Sequence, residues 1–222
     1  MRRPHSLKLT PLALLLIAAG PALTPAAAQP ASPVGIFEDH ADIGDNPKPG
    51  SIEYDTATGE YRVTGGGANI WAATDAFHFA WKRLSGDFTL SALVHFIGVG
   101  KVDHRKAVLM IRQNLNPDSP YADVALHGDG MTSLQFRNEA AAETTETRSG
   151  LNTPIHLRIE RRGNQFTLYA SKQDAEPAAT GPVTVVLHDP VYVGIGVCSH
   201  DASVLETAIF SKVTIDDASP RQ

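Results

Sequence analysis

The stretch VCSHD, Val197 to Asp201, sets the chain's one cysteine beside a serine, a histidine and an aspartate. These are the residue types of nucleophilic catalysis, in which a thiol or hydroxyl needs a base within about 3 Å. Strand spacing denies them that contact. Residues two apart on a strand share a face but lie roughly 6.6 Å apart. Cys198 and His200 therefore point the same way without an assured contact, and Ser199 and Asp201 point oppositely unless the strand has already ended. The stretch reads as a strand end holding a buried thiol, because free cysteine is among the most buried residue types. The chain also lacks G-x-S-x-G, H-E-x-x-H, Cys-x-x-Cys and a glycine-rich phosphate loop.

The face that Cys198 shares is more informative. In YVGIGVCSH, Val191, Val193, Ile195 and Val197 form an apolar stripe suited to a sandwich core, and Tyr192, Gly194, Gly196, Cys198 and His200 lie opposite. Glycine inside a strand marks close approach by a ligand or another backbone. The face thus reads as a shallow trough with a ring at each end, either open to a ligand or filled by a crossing loop. YADVALH turns Tyr121, Asp123, Ala125 and His127 away from the core, and SLQFRN does the same with Ser133, Gln135 and Arg137. In AVLMIRQ both faces are nearly apolar, with Arg112 ending one of them.

If these faces share a sheet, Arg112, Tyr121, Asp123, His127, Gln135, Arg137, Tyr192 and His200 converge. Planar donors and carboxylates beside aromatic rings hold sugar hydroxyls. A solvated sheet with weak salt bridges accounts for the same pattern. Trp71, after Gly65-Gly66-Gly67, is the candidate stacking platform, with burial in a core as the alternative; Trp81 is assigned to the core. His104-Arg105-Lys106 is expected on a rim loop, pairing with acids or meeting an anionic glycan. His127 and Asp123 are the candidates for catalysis, as a pair abstracting a proton from an activated sugar. No metal is expected. The loop oxygens of Asp42, Asp45 and Asn46 suit a structural calcium, and turn formation explains those residues equally well.

The elements that must position these groups are strands. No long amphipathic helix is readable, and alternating runs separated by turn residues indicate an all-β sandwich. SIEYDTATGEYRV, YADVALHGDGMTSLQF and IHLRIERRGNQFTLYAS read as hairpins, and FHFAWKRL and FTLSALVHF as alternating strands, the first with Phe77, Phe79 and Trp81 on its core face and the second with Phe88, Leu90, Ala92, Val94 and Phe96 turned inward. AAAETTETRSG and SKQDAEPAATGP read as surface loops.

Arg2, Arg3 and Lys8, an apolar run from Leu12 to Leu23, and Ala26-Ala27-Ala28 give the pattern of a cleaved signal peptide, with cleavage near Ala28-Gln29. Residues 29–35 then form a leader, 36–216 the domain and 217–222 a tail. Removing 28 of 222 residues leaves 194, with 16 basic against 24 acidic side chains, a balance of −8. That sign argues against nucleic acid and anionic membranes as partners. A periplasmic or secreted location follows, without membrane insertion.

The strings GGGANIW, DAFHFAWKRLSGDFTL, HRKAVLMIRQ, YADVALHGDGMTSLQFR, LRIERRGN and DPVYVGIGVCSHD resemble a bacterial family of exported domains. These occur alone or ahead of Tol-type β-propellers and look like members of the concanavalin A-like lectin/glucanase superfold. The resemblance runs from about Ile36 to Ile215. It implies a jelly roll of two antiparallel sheets with a concave face, and the polar strand faces add the expectation that this face binds a glycan or small saccharide. It leaves open a carbohydrate-active enzyme in the same groove and an interaction module for a separate propeller protein in the envelope. The glucanase signature E-x-D-x-x-E of this superfold is absent, and Asp123 is the sole acid on its strand face.

Overall fold

The computed structural model describes residues 33–173 and 175–217. The expected signal peptide, the first residues of the leader and the end of the tail lie outside the described residues. Seventeen strands follow one another among the described residues: β1 Asp39–Ile43, β2 Ser51–Asp55, β3 Glu60–Gly65, β4 Ile70–Trp71, β5 Thr74–Asp75, β6 Phe77–Leu84, β7 Phe88–Phe96, β8 Lys106–Arg112 and β9 Tyr121–His127. The rest are β10 Thr132–Arg137, β11 Thr145–Arg148, β12 His156–Arg162, β13 Gln165–Ser171, β14 Ala178–Ala179, β15 Val183–Thr184, β16 Val191–Cys198 and β17 Glu206–Asp217. No α-helix occurs among the described residues.

The strands build two antiparallel sheets. One has seven strands in the order β1-β6-β16-β8-β9-β10-β11; the other runs β14-β13-β12-β7-β17-β3-β2, with β15 beside β13. The pleat explains the core between them. Val191, Val193, Ile195 and Val197 of β16 pack with Ala122, Val124 and Leu126 of β9 and with Leu90, Ala92 and Val94 of β7 from the facing sheet. Each such side chain is almost fully buried, and burial of each valine, leucine or isoleucine among them contributes about 1.5–3 kcal/mol.

A second apolar cluster sits on the outer face of the seven-stranded sheet. It contains Phe77, Phe79 and Trp81 of β6, Val108 and Met110 of β8, Tyr121, Ala125, Cys198 and Ile70. From β6 the inter-sheet core takes Ala80, with Leu84 packed against it. The expected alternation of β6 is therefore correct, but its aromatic face looks outward. The reason is the short hairpin β4-β5, which lies on that outer face as a third layer and buries Ile70 against it. This cover also makes β8 apolar on both sides, as a strand enclosed on two faces must be.

Candidate functional site

Register brings the sequence-derived candidates onto one outer face. Across neighbouring strands Tyr192, Arg112, Tyr121 and Arg137 form one row. Gly194, Met110, Asp123, Gln135 and Glu146 form the next. Cys198, Lys106 and His127 form the row at the far end. Sharing a face is not sharing a site, because the hairpin divides this surface.

The hairpin is tied down by buried cations. Arg137 donates from Nη2 to Asp75 Oδ1 at 2.7 Å and from Nη1 to Asp75 Oδ2 at 3.0 Å, and it donates further to the Ala72 carbonyl. Arg112 reaches Asp75 Oδ2 at 3.4 Å and the carbonyls of Asn114 and Asn116. Both arginines and Asp75 are sealed from solvent. Burial raises the Asp75 pKa, opposed by its bond to Arg137 and by the charge of Arg112. Tyr121 is also buried, its hydroxyl 3.1 Å from Thr144 Oγ1 and its ring under Arg137.

Arg112, Tyr121 and Arg137, expected to line a trough, thus anchor the hairpin and border no open space at its far end. Tyr192 packs edge-on against Trp81 at 6.1 Å, also away from that end. The trough is filled at its centre. A β-carbon at Gly194 would collide with the Ala80 carbonyl, and one at Gly196 would lie 2.9 Å from the Phe77 ring. These glycines serve close approach of the neighbouring strand and its aromatic side chains.

What remains open is a hollow of about 210 Å³ at the Cys198–Lys106–His127 end. Trp71 stands at one side, held there by the hairpin, with Asn69 beside it. Lys106, His127 and Gln135 also line it, and Glu146, Arg148, Met131, His104 and His200 complete the wall. Trp71, His127, Gln135 and His200 are thus brought together, His127 and Gln135 through strand alternation, Trp71 from the hairpin and His200 from just beyond the end of β16.

Asn69, Glu146 and Arg148 join the site without being candidates from the sequence, and Lys106 joins it from a triplet that reads as a rim loop. Lys106, expected on a rim loop, is the first residue of β8 and buried, while Arg105 pairs with Glu206 at 2.5 Å. Glu146 and Arg148 lie on β11, an edge strand inside a run that reads as surface loop. Their one sequence signal is the Thr-Glu-Thr-Arg alternation.

Hydrogen bonds in the hollow fix one another. The Lys106 ammonium donates to the Ile70 carbonyl at 2.6 Å, Asn69 Oδ1 at 3.0 Å and Gln135 Oε1 at 3.1 Å. It lies 5.2 Å from the Trp71 ring centroid. An ammonium only donates, so the oxygen of Gln135 must face it. The amide nitrogen of Gln135 then faces Ser133 Oγ and His127 Nε2, each at 3.2 Å. His127 Nε2 must accept, which puts the ring proton on Nδ1. That nitrogen is buried and has no partner among the described residues. Burial, reinforced by the Lys106 charge, pulls the His127 pKa from 6.5 to about 3. Burial lowers the Lys106 pKa as well.

Asp123 is fully buried, and neither carboxyl oxygen has a hydrogen-bond partner among the described residues. Desolvation raises its pKa well above the carboxylate range, opposed first by Lys106. The expected Asp123–His127 pair is therefore not formed, and Asp123 does not line the hollow. The Cys198 thiol donates to the Gly67 carbonyl and is pushed by burial up to about 12, far from nucleophilic.

Among the described residues no group of three or more His, Cys, Asp and Glu side chains is arranged to hold a metal ion. In the loop considered for calcium, Asp42 accepts from Gly50 N and pairs with His78 Nδ1 at 2.8 Å. Asn46 donates to the Ile43 carbonyl.

No protein-family model matches the chain, and no curated protein matches it. Among solved structures it is similar to a Saccharomyces cerevisiae protein described as functionally unknown, at TM-score 0.59 and 14% identity, covering 82% of this chain and 97% of that one. The lectin UEA-II complexed with galactose aligns at TM-score 0.50 and 13% identity over 81% of this chain and 98% of the lectin. The Bacteroides ovatus xyloglucan PUL GH43B aligns at 0.51 and 15% over 90% of this chain but 42% of that one. Identities this low speak to architecture, and the chain has the two-sheet jelly-roll sandwich that lectins share.

Proposed function

We propose that this chain is an exported saccharide-binding domain that holds a single sugar ring beside Trp71. The observation that carries the reading is the indole itself, carried on a hairpin that a buried ion pair anchors, at the edge of a hollow otherwise walled by amide, imidazole, carboxylate and guanidinium groups. A ring face for the apolar side of a sugar, with convergent polar groups for its hydroxyls, is the composition such sites require. The volume of about 210 Å³ falls below the roughly 300–1,000 Å³ of drug-sized pockets, which suits one ring. Lectin neighbours support the same reading at the level of the fold. Turnover is the weaker reading, since a histidine with a pKa of about 3 is a poor base at neutral pH and Asp123 is sealed away.

Calorimetric titration of the purified protein with glucose, galactose, xylose and glucuronic acid tests this. Saturable binding of at least one sugar is expected, weakened about tenfold by Trp71→Ala and by His127→Ala. Circular dichroism checks that each variant keeps its fold. No binding by any of the four sugars, or binding that both variants leave intact, overturns the proposal.

A further inference from the structure

A second hollow, of about 400 Å³, opens against the hairpin. Asn69 and Trp71 border both hollows, so the two are neighbours across one side chain pair. The far walls come from the loop between β1 and β2, through Asp45 and Pro47, and from Ala202 after β16. These walls are fixed. Asn46 Nδ2 holds the Ile43 carbonyl at 2.7 Å, and Gly50 N donates to both oxygens of Asp42. Asp42 is held in turn by His78, and the hairpin side is closed by Ala76 N donating to the Asn69 carbonyl at 2.7 Å. The second hollow therefore exists before any ligand arrives. Its surface is mostly aliphatic, with Asp45 and Thr74 as exposed polar groups at its margin.

We propose that the second hollow takes the next unit of a saccharide chain whose first unit occupies the hollow lined by His127, with Trp71 as the wall common to both. This rests on the saccharide reading of the first hollow and names its ligand class as a chain of two or more sugar units. An aliphatic surface with few polar groups suits a second ring that needs contact more than recognition, since specificity is already supplied beside His127 and Gln135. Two linked rings also bind with one loss of overall freedom in place of two, so the second contact adds to affinity even where it is weak alone.

The test compares glucose with cellobiose, galactose with lactose, and xylose with xylobiose by calorimetry, on the wild type and on Pro47→Trp and Ala202→Trp. Each substitution puts an indole into the second hollow from a surface position on a different wall. For a sugar that binds, its disaccharide is expected to bind about tenfold or more tightly. Either bulky substitution is expected to erase that gain and leave monosaccharide affinity unchanged. Equal affinity for the single and double unit overturns the second subsite alone. So does a gain that both folded variants retain. If no single or double sugar binds at all, the saccharide reading itself falls and carries this one with it.

Discussion

At the scale of one residue, His127 shows how a side chain's chemistry is set by the hydrogen-bonded neighbours that share its hollow. Lys106 orients the Gln135 amide, and the amide dictates which imidazole nitrogen carries the proton. The expected outcome is a neutral ring with its proton on Nδ1 at neutral pH, read from nitrogen chemical shifts in the folded protein. Gln135→Leu removes the donor to Nε2 and is expected to let the proton move to that nitrogen in part of the molecules. Detection of the Nε2 proton as the major form in the wild type would contradict the Lys106–Gln135–His127 bond order. His127, Gln135 and Trp71 are legible in the sequence because alternation and turn position reveal which way a strand or loop residue faces. Lys106 is not, since its burial depends on acceptors from Asn69 and Ile70, more than thirty residues distant.

At the scale of an element, the β4-β5 hairpin decides what the outer face does. Two residues per strand cannot hold themselves, because so few ladder bonds do not offset chain entropy. Asp75 anchors it instead, between two arginines with no access to water. Asp75→Ala leaves two buried guanidinium groups without a counter-ion and is expected to cost about 3–5 kcal/mol, measured by urea unfolding. Hydrogen exchange at residues 69–76 should quicken before that of the strands beneath. A loss below about 1 kcal/mol would mean that packing of Ile70 alone secures the hairpin. This hairpin also explains where sequence patterning misleads. A polar or glycine-rich run has no periodicity long enough to announce a two-residue strand. Without the hairpin in view, Arg112 and Arg137 look like exposed ligand groups and the aromatic face of β6 looks like inter-sheet core. The edge strand carrying Glu146 and Arg148 escapes for a related reason: a short edge strand needs little apolar content.

At the scale of the whole molecule, the longer strands and their inward faces follow from period-two patterning, since one buried face makes register and orientation readable from sequence. Stability in acid depends on groups that patterning does not expose. His127 has its pKa lowered from 6.5 to about 3, and burial lowers His78 as well. Between those two values an unfolded His127 binds a proton that the folded ring refuses. Its contribution is therefore complete above about pH 6.5 and is lost progressively as pH falls toward 3. Asp75 and Asp123 work in the opposite direction, because burial raises their pKa values. The histidine contribution is isolated by difference: His127→Gln is expected to gain stability relative to the wild type as pH falls from about 7 to about 4, measured by calorimetric melting. A constant difference across that range would show that His127 titrates normally.

Cys198 gives the protein a built-in timer. Its sulfur rests beneath the segment leading into the hairpin and donates to the Gly67 carbonyl, with no path to solvent. A disulfide reagent can reach it only during moments when that segment lifts, so the modification rate counts those moments without any engineered label. A sugar seated against Trp71 should hold the segment down and slow the count, reporting occupancy from a sulfur that no ligand touches.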